Sequence, residues 1–181
     1  MKISRPYKEC LPSHLTQGFT KGGHEANDFG YKYGTFLVSP FNAKVLNIIT
    51  AQNIDITGEE LRRGYGIRLQ SIEDPTLSCT YWHCQPFFPV EIGDTILQGQ
   101  IVAMMGNSGF VESNGVYVEI DMRTIPPFKG THVHWSMGQQ IGDTYFSLDP
   151  SLWIDWSIPI NYNVFQAASI ILKKIFSFLN K

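Results

Sequence analysis

The sequence predicts a mainly β domain, a compact antiparallel sheet or sandwich, closed by one C-terminal amphipathic helix. Three observations carry this. Short runs rich in β-branched and aromatic residues recur between Gly, Pro, Asn and Asp turn signals. Several runs alternate apolar and polar positions, the period of a strand with one buried face. Helical spacing of apolar residues is confined to residues 164–181.

Taken in order, Leu15–Phe19 reads as a short strand feeding a loop. Gly22 and Gly23 argue against a helix before His24, so the His24-x-x-x-Asp28 spacing falls on a loop entering a strand. Residues 35–50 are strand-like and Pro40 splits them in two. The polar residues 51–63 are expected to be a loop or hairpin tip. Gly64–Gln70 alternates as a strand, Asp74-Pro75 turns the chain, and Leu77–His83 forms the next strand. Simple alternation there puts Tyr81 and His83 on one face and Trp82 on the other. Gly93-Asp94 marks a turn, and Thr95–Met105 follows with Gly99 in its middle. Asn114-Gly115 is a strong hairpin signal, and Val116–Asp121 alternates after it. Glu119 and Asp121 would then share a face and could meet a cationic group. Pro126-Pro127 ends that run, and Gly130–Trp135 follows. After Asp149-Pro150 the chain turns aromatic. Val164, Ala168, Ile171, Leu172, Ile175, Phe176 and Leu179 then define the helical face. The expected organisation is a domain over 1–150 and a C-terminal segment over 151–181.

The 181 residues suffice for one core without covalent staples. A net charge of −2 with no basic block argues against a nucleic-acid partner. The three cysteines, Cys10, Cys79 and Cys84, are odd in number and do not suggest a disulfide framework. They are expected to be buried as small hydrophobes. The N-terminus has no apolar stretch of the secretory-signal kind, and no apolar run is long enough to span a membrane. The basic helix 164–181 is expected to dock on its own domain or a second copy, or else to lie on a membrane surface.

Chemistry concentrates in the histidines. His132 and His134 sit two apart in a strand-like run, so they share a face about 7 Å apart along the strand. Of the five histidines, His24, His83, His132 and His134 fall in patterned stretches together with Asp28, while His14 does not. Zinc takes nitrogen, sulfur and carboxylate ligands, and a catalytic site keeps one position open for water. His24, Asp28 and one histidine of the 132/134 pair would supply three ligands, leaving other histidines free to move protons.

These motifs, in this order, resemble the lysostaphin/LytM-type zinc endopeptidases that cut peptidoglycan peptides. The matching pieces are His24-x-x-x-Asp28, Tyr81-Trp82-His83 and His132-Val133-His134. Gln17-Gly18-Phe19, Gly34-Thr35 to Pro40, Gly64-Tyr65-Gly66, Val90 to Ile101 and Gly106-Asn107-Ser108-Gly109 fit the linking pattern, so the resemblance covers roughly residues 15–150. It implies a compact antiparallel LytM-type fold, like a duplicated hybrid motif, with a site in a groove between loops. It also implies one Zn2+ held by His24, Asp28 and His134, with His83 and His132 unligated, activating water and stabilising the oxyanion. The implied function is zinc-dependent hydrolysis of cross-links or stem peptides of bacterial peptidoglycan, in the cell wall, as by a phage lysin. The alternative within the resemblance is an inactive module that binds and activates another wall hydrolase. Residues 110–130 depart from the family as an insertion. Phe19 and Thr20 stand where some members place a tyrosine, and Cys84 stands where many have leucine.

Overall fold

The computed structural model describes residues 1–50 and 64–162, together with Ala168, Ser169 and Leu172. The expected loop at 51–63 and the expected helix at 164–181 lie outside the described residues. The strands are β1 (Leu15–Gln17), β2 (Asn27–Gly30), β3 (Phe36–Val38), β4 (Ala43–Ile49), β5 (Tyr65–Ser71) and β6 (Leu77–Cys84). They continue as β7 (Thr95–Ile96), β8 (Ile101–Met104), β9 (Glu112–Ser113), β10 (Val116–Tyr117), β11 (His132–Ile141) and β12 (Thr144–Leu148). A short helix, α1 (Ile120–Thr124), separates β10 from β11.

The main sheet runs β1-β2-β11-β6-β5-β4-β7, with β12 also paired to β11. Its strand pairs are antiparallel. β3–β8 and β9–β10 form two small ribbons. The fold is thus mainly antiparallel β, as the sequence predicts.

Burial explains the arrangement. Trp135 is fully buried, with the Phe29 and Tyr81 rings at 6.4 and 5.8 Å. Leu37, Ile67, Leu69 and Val133 belong to the same core. β8 is covered on both sides: Val102 and Ala103 join this core, while Ile101 packs with Val38 and Ile160. Residues 3 and 153–155 meet here, since the Ile3 amide donates to Trp153 O and the Asp155 amide to Ile3 O. Cys10, Cys79 and Cys84 are free and buried, as expected of small apolar side chains.

One sequence expectation needs correcting here. Residues 116–121 do not continue as a strand: β10 stops at Tyr117 and α1 begins at Ile120. The cause is Arg123, which lies buried beneath the hairpin. Its Nε donates to Val118 O at 2.6 Å and its Nη1 to Gly109 O, and its guanidinium sits 4.8 Å from the Tyr117 ring centroid. The helical turn brings Arg123 under the hairpin. It also removes Glu119 and Asp121 from a shared strand face, and Asp121 instead caps the Met122 amide. The Asn114-Gly115 turn forms as expected, with both residues at positive φ (54° and 74°). In the 95–105 run, Gly99 at φ 80° stands between β7 and β8.

Arg123 therefore ties the hairpin to the body. Arg123→Ala is expected to lower stability by about 2–3 kcal/mol, because two carbonyls lose a charged donor. Denaturant unfolding measures the loss, and faster amide exchange across 110–118 locates it. Arg123→Lys should not restore it, since one ammonium cannot span both carbonyls as the guanidinium fork does.

Candidate metal centre

The centre is built on cross-strand pairing. Along β11, Val133 and Trp135 point into the core, so His132 and His134 point the other way. In the antiparallel register His134 lies directly opposite Asp28 of β2, and His132 opposite Gly30. Opposite residues share a face at close range, so the Asp28 carboxylate meets His134 by register alone. His24, on the loop four residues before Asp28, folds back to complete the group.

His83 arrives differently. Continuous alternation would place it on the core face with Tyr81. The structure puts its ring instead 4.6 Å from the His132 ring and 5.9 Å from that of His134. The reason is a bulge. Tyr65 pairs with Cys84 but Ile67 pairs with Tyr81, so β6 carries one extra residue there. His83 itself has φ 60°, the left-handed region. Tyr81 stays in the core opposite Trp135 and donates to Val38 O at 2.9 Å, while His83 swings to the site. Gly66 makes room for this, since a Cβ there would sit 2.7 Å from the Trp82 ring.

Three donor groups converge. His24 Nε2 lies 3.3 Å from Asp28 Oδ2, and His134 Nδ1 lies 3.0 Å from Asp28 Oδ1. The two ring nitrogens are 3.2 Å apart. His132 Nε2 is farther, 3.7 Å from Asp28 Oδ2. Backbone carbonyls fix the tautomers. His24 Nδ1 donates to Gly18 O (3.1 Å), His132 Nδ1 to Gly130 O (2.9 Å) and His83 Nδ1 to Ser108 O (2.7 Å). Each of these rings is left with a bare Nε2 when neutral.

Electrostatics follow from burial. Burial alone would raise the Asp28 carboxyl, but the imidazoles of His134 and His24 outweigh it and hold the group well below the usual carboxylate range. Hydrogen bonding to Asp28 raises His24 against a smaller opposing effect of burial. Burial, reinforced by neighbouring His132, pushes His83 down to about 3. Burial also lowers His132. Burial thus favours the uncharged form of both rings.

The donor set suits a cation. Ligands of a tetrahedral zinc, at their usual bond lengths, stand about 3.3 Å apart, close to the spacings just given. Asp28 Oδ1 is buried and makes no well-formed hydrogen bond among the described residues. His24, Asp28 and His134 form a group able to hold a metal ion. Two nitrogens and one carboxylate suit zinc better than magnesium or calcium, which prefer all-oxygen shells.

A groove passes this centre as two adjoining cavities. One, of about 420 Å³, is bordered by His24, His83, His132, His134 and Phe110. The other, of about 520 Å³, is bordered by Thr16, Gly30, Thr131, Ser113 and Asn114. Gln17, Asp28, Glu112 and His132 border both. The hairpin β9–β10 is one wall, so the 110–130 segment does line the groove.

No family model matches the sequence, and no curated protein matches it. Solved structures do. The chain superposes on LytU with a TM-score of 0.55 at 21% identity, over 81% of this chain and 88% of that one. The catalytic domain of the antimicrobial peptidase lysostaphin from Staphylococcus simulans gives 0.51 at 18% identity, over 84% and 87%. The chain has the lysostaphin fold. A zinc-containing peptidase from Vibrio cholerae shares it too, with a TM-score of 0.57 at 16% identity, over 86% of this chain and 41% of that longer one.

Within this lysostaphin-type fold, all five residues singled out in the sequence meet at one point: His24, Asp28, His83, His132 and His134. His14 stays apart and stacks against Tyr31, with Tyr7 Oη 3.1 Å from its Nδ1. Sequence reasoning missed Glu112, and it marked Gln17, Gly18 and Ser108 only as parts of the linking pattern, without the roles of the Gly18 and Ser108 carbonyls. An exposed glutamate in a hairpin and a backbone carbonyl leave no pattern in the sequence. Gly106 did leave a signal, as part of the Gly106-Asn107-Ser108-Gly109 run. A Cβ there would meet the backbone of residues 83–85 at 2.8–2.9 Å.

Proposed function

We propose that the chain is a zinc-dependent endopeptidase that hydrolyses peptide cross-links or stem peptides of bacterial peptidoglycan. The observation that carries this is the convergence of His24 Nε2, Asp28 and His134 Nδ1 at ligand spacing, with two further neutral histidines alongside. The lysostaphin fold supports it, and the zinc-containing peptidase of the same fold supports the choice of metal.

In this reading His24, Asp28 and His134 hold one zinc per chain. Bound there, the metal supplies Lewis-acid polarisation of the scissile carbonyl and a lowered pKa for water. His132 accepts the proton of the attacking water at Nε2, the atom its Gly130 hydrogen bond leaves bare. His83, anchored through Nδ1 to Ser108 O, stands beside it; carrying a proton at Nε2, it would donate to the carbonyl oxygen as negative charge develops there. Both rings are held by backbone carbonyls, so they need little rearrangement during the reaction. An extended peptide lying in the groove would pass all of these groups, and such a substrate implies action in the bacterial cell wall.

The test pairs metal analysis with digestion of purified sacculi. One zinc per chain is expected, with release of peptide fragments that stops on chelation and resumes when zinc is restored. Mass spectrometry of fragments from walls of different cross-link types identifies the bond. Absence of zinc, or zinc without fragment release, would overturn the reading; the second outcome would leave a module that acts through another hydrolase.

A further inference from the structure

We propose that Glu112, on the hairpin that walls the groove, is an anionic subsite that receives an ammonium group of the bound peptide. This rests on the peptidase reading and goes beyond it by naming what the groove selects.

The argument starts from charge. Glu112 borders both cavities that meet at the metal centre. Among the described residues, the only other carboxylate bordering them is Asp28, which is committed to the histidines. No described lysine or arginine borders either cavity. Arg123, buried beneath the hairpin, donates from Nε to Val118 O and from Nη1 to Gly109 O. The neighbouring groove residues Gln17, Thr16, Ser113 and Asn114 are neutral. A carboxylate with no cation beside it among the described residues, in a groove whose other described lining groups, Asp28 apart, are neutral or histidine, favours a cationic ligand and repels an anionic one.

Position is the second element. Glu112 opposes Tyr117 across the β9–β10 ribbon. That ribbon is held rigidly at its root. The Val118 amide donates to Val111 O, and Asn107 Nδ2 donates to the carbonyls of Arg123 and Lys129. Gly130 lies so close that a Cβ there would stand 2.8 Å from Val111 Cγ2. The carboxylate is therefore presented from an anchored wall, which suits a residue that selects among substrates. Glu119 and Asp121, which the sequence offered for this role, border neither cavity.

Wall peptides supply the matching chemistry, because their diamino residue carries a free side-chain amine wherever it is not cross-linked. The experiment compares the stem tetrapeptide L-Ala-D-Glu-L-Lys-D-Ala with its Nε-acetyl form. Binding to the zinc-loaded full chain is measured by calorimetry, and cleavage of wall fragments carrying free or acetylated amines is followed in parallel. The free amine should bind about two- to fivefold more tightly, the range for an exposed charge pair, and the preference should shrink as salt rises. Glu112→Gln should bring the ratio close to one, and Glu112→Lys should reverse it, with zinc content retained in both.

An unchanged preference in Glu112→Gln, no preference in the unsubstituted chain, or loss of zinc in either variant would overturn the proposal. The two readings fail separately. Cleavage without amine preference removes the subsite and leaves the peptidase. An amine preference in binding that Glu112→Gln abolishes, without any cleavage, keeps the subsite and removes the peptidase.

Discussion

His134→Ala is expected to empty the metal centre and to abolish hydrolysis. His134 Nδ1 is one of only two ring nitrogens within 3.3 Å of the Asp28 carboxylate. Without it, two ligands remain, too few for a site that must hold three and leave one position for water. The metal's contribution to transition-state stabilisation is several kcal/mol, so the rate should fall by about 10³-fold or more. The fold should survive. His134 lies on the face opposite Val133 and Trp135, so its removal leaves the core intact. Zinc measured by atomic absorption, beside a thermal melt, checks both halves. Full zinc occupancy in the variant would refute the ligand assignment.

His132→Ala, two residues away on the same face, should give the opposite pattern. His132 Nε2 stands 3.7 Å from Asp28 Oδ2, outside the tighter set formed by His24, Asp28 and His134. Zinc content should stay near one per chain, while hydrolysis falls by about 10²–10⁴-fold, the usual worth of a positioned general base. The KM should change little, because the lost group acts on the proton and not on the bound peptide. A variant that loses zinc together with activity would move His132 into the ligand set. The two substitutions thus separate holding the metal from moving the proton on a single strand.

Much of this was legible before the structure. The alternation of His132, Val133, His134 and Trp135 states which side chains face the core, and β11 obeys it. The His24-x-x-x-Asp28 spacing on a glycine-rich loop states that both groups can reach one point, and they do. Legibility stopped where distant parts of the chain decide. Nothing within Leu77–Cys84 announces the bulge that turns His83 out of the core, because the bulge is defined against Tyr65 and Ile67 of the neighbouring strand. Nothing within 116–121 shows that Arg123 will bury itself under the hairpin and convert the run to a helical turn. The place of Glu112 on the groove wall depends on the same hairpin, so it was equally hidden.

The backbone at His83 has a consequence for descendants of this sequence. A residue bearing a Cβ is disfavoured in the left-handed region by about 1–2 kcal/mol, which glycine avoids and asparagine partly avoids. Histidine at that position therefore opposes thermal robustness, and its imidazole is what keeps it in place. A lineage released from chemistry should drift there toward glycine or asparagine, gaining heat tolerance as it does so. The identity of that single residue would then separate working copies from retired ones.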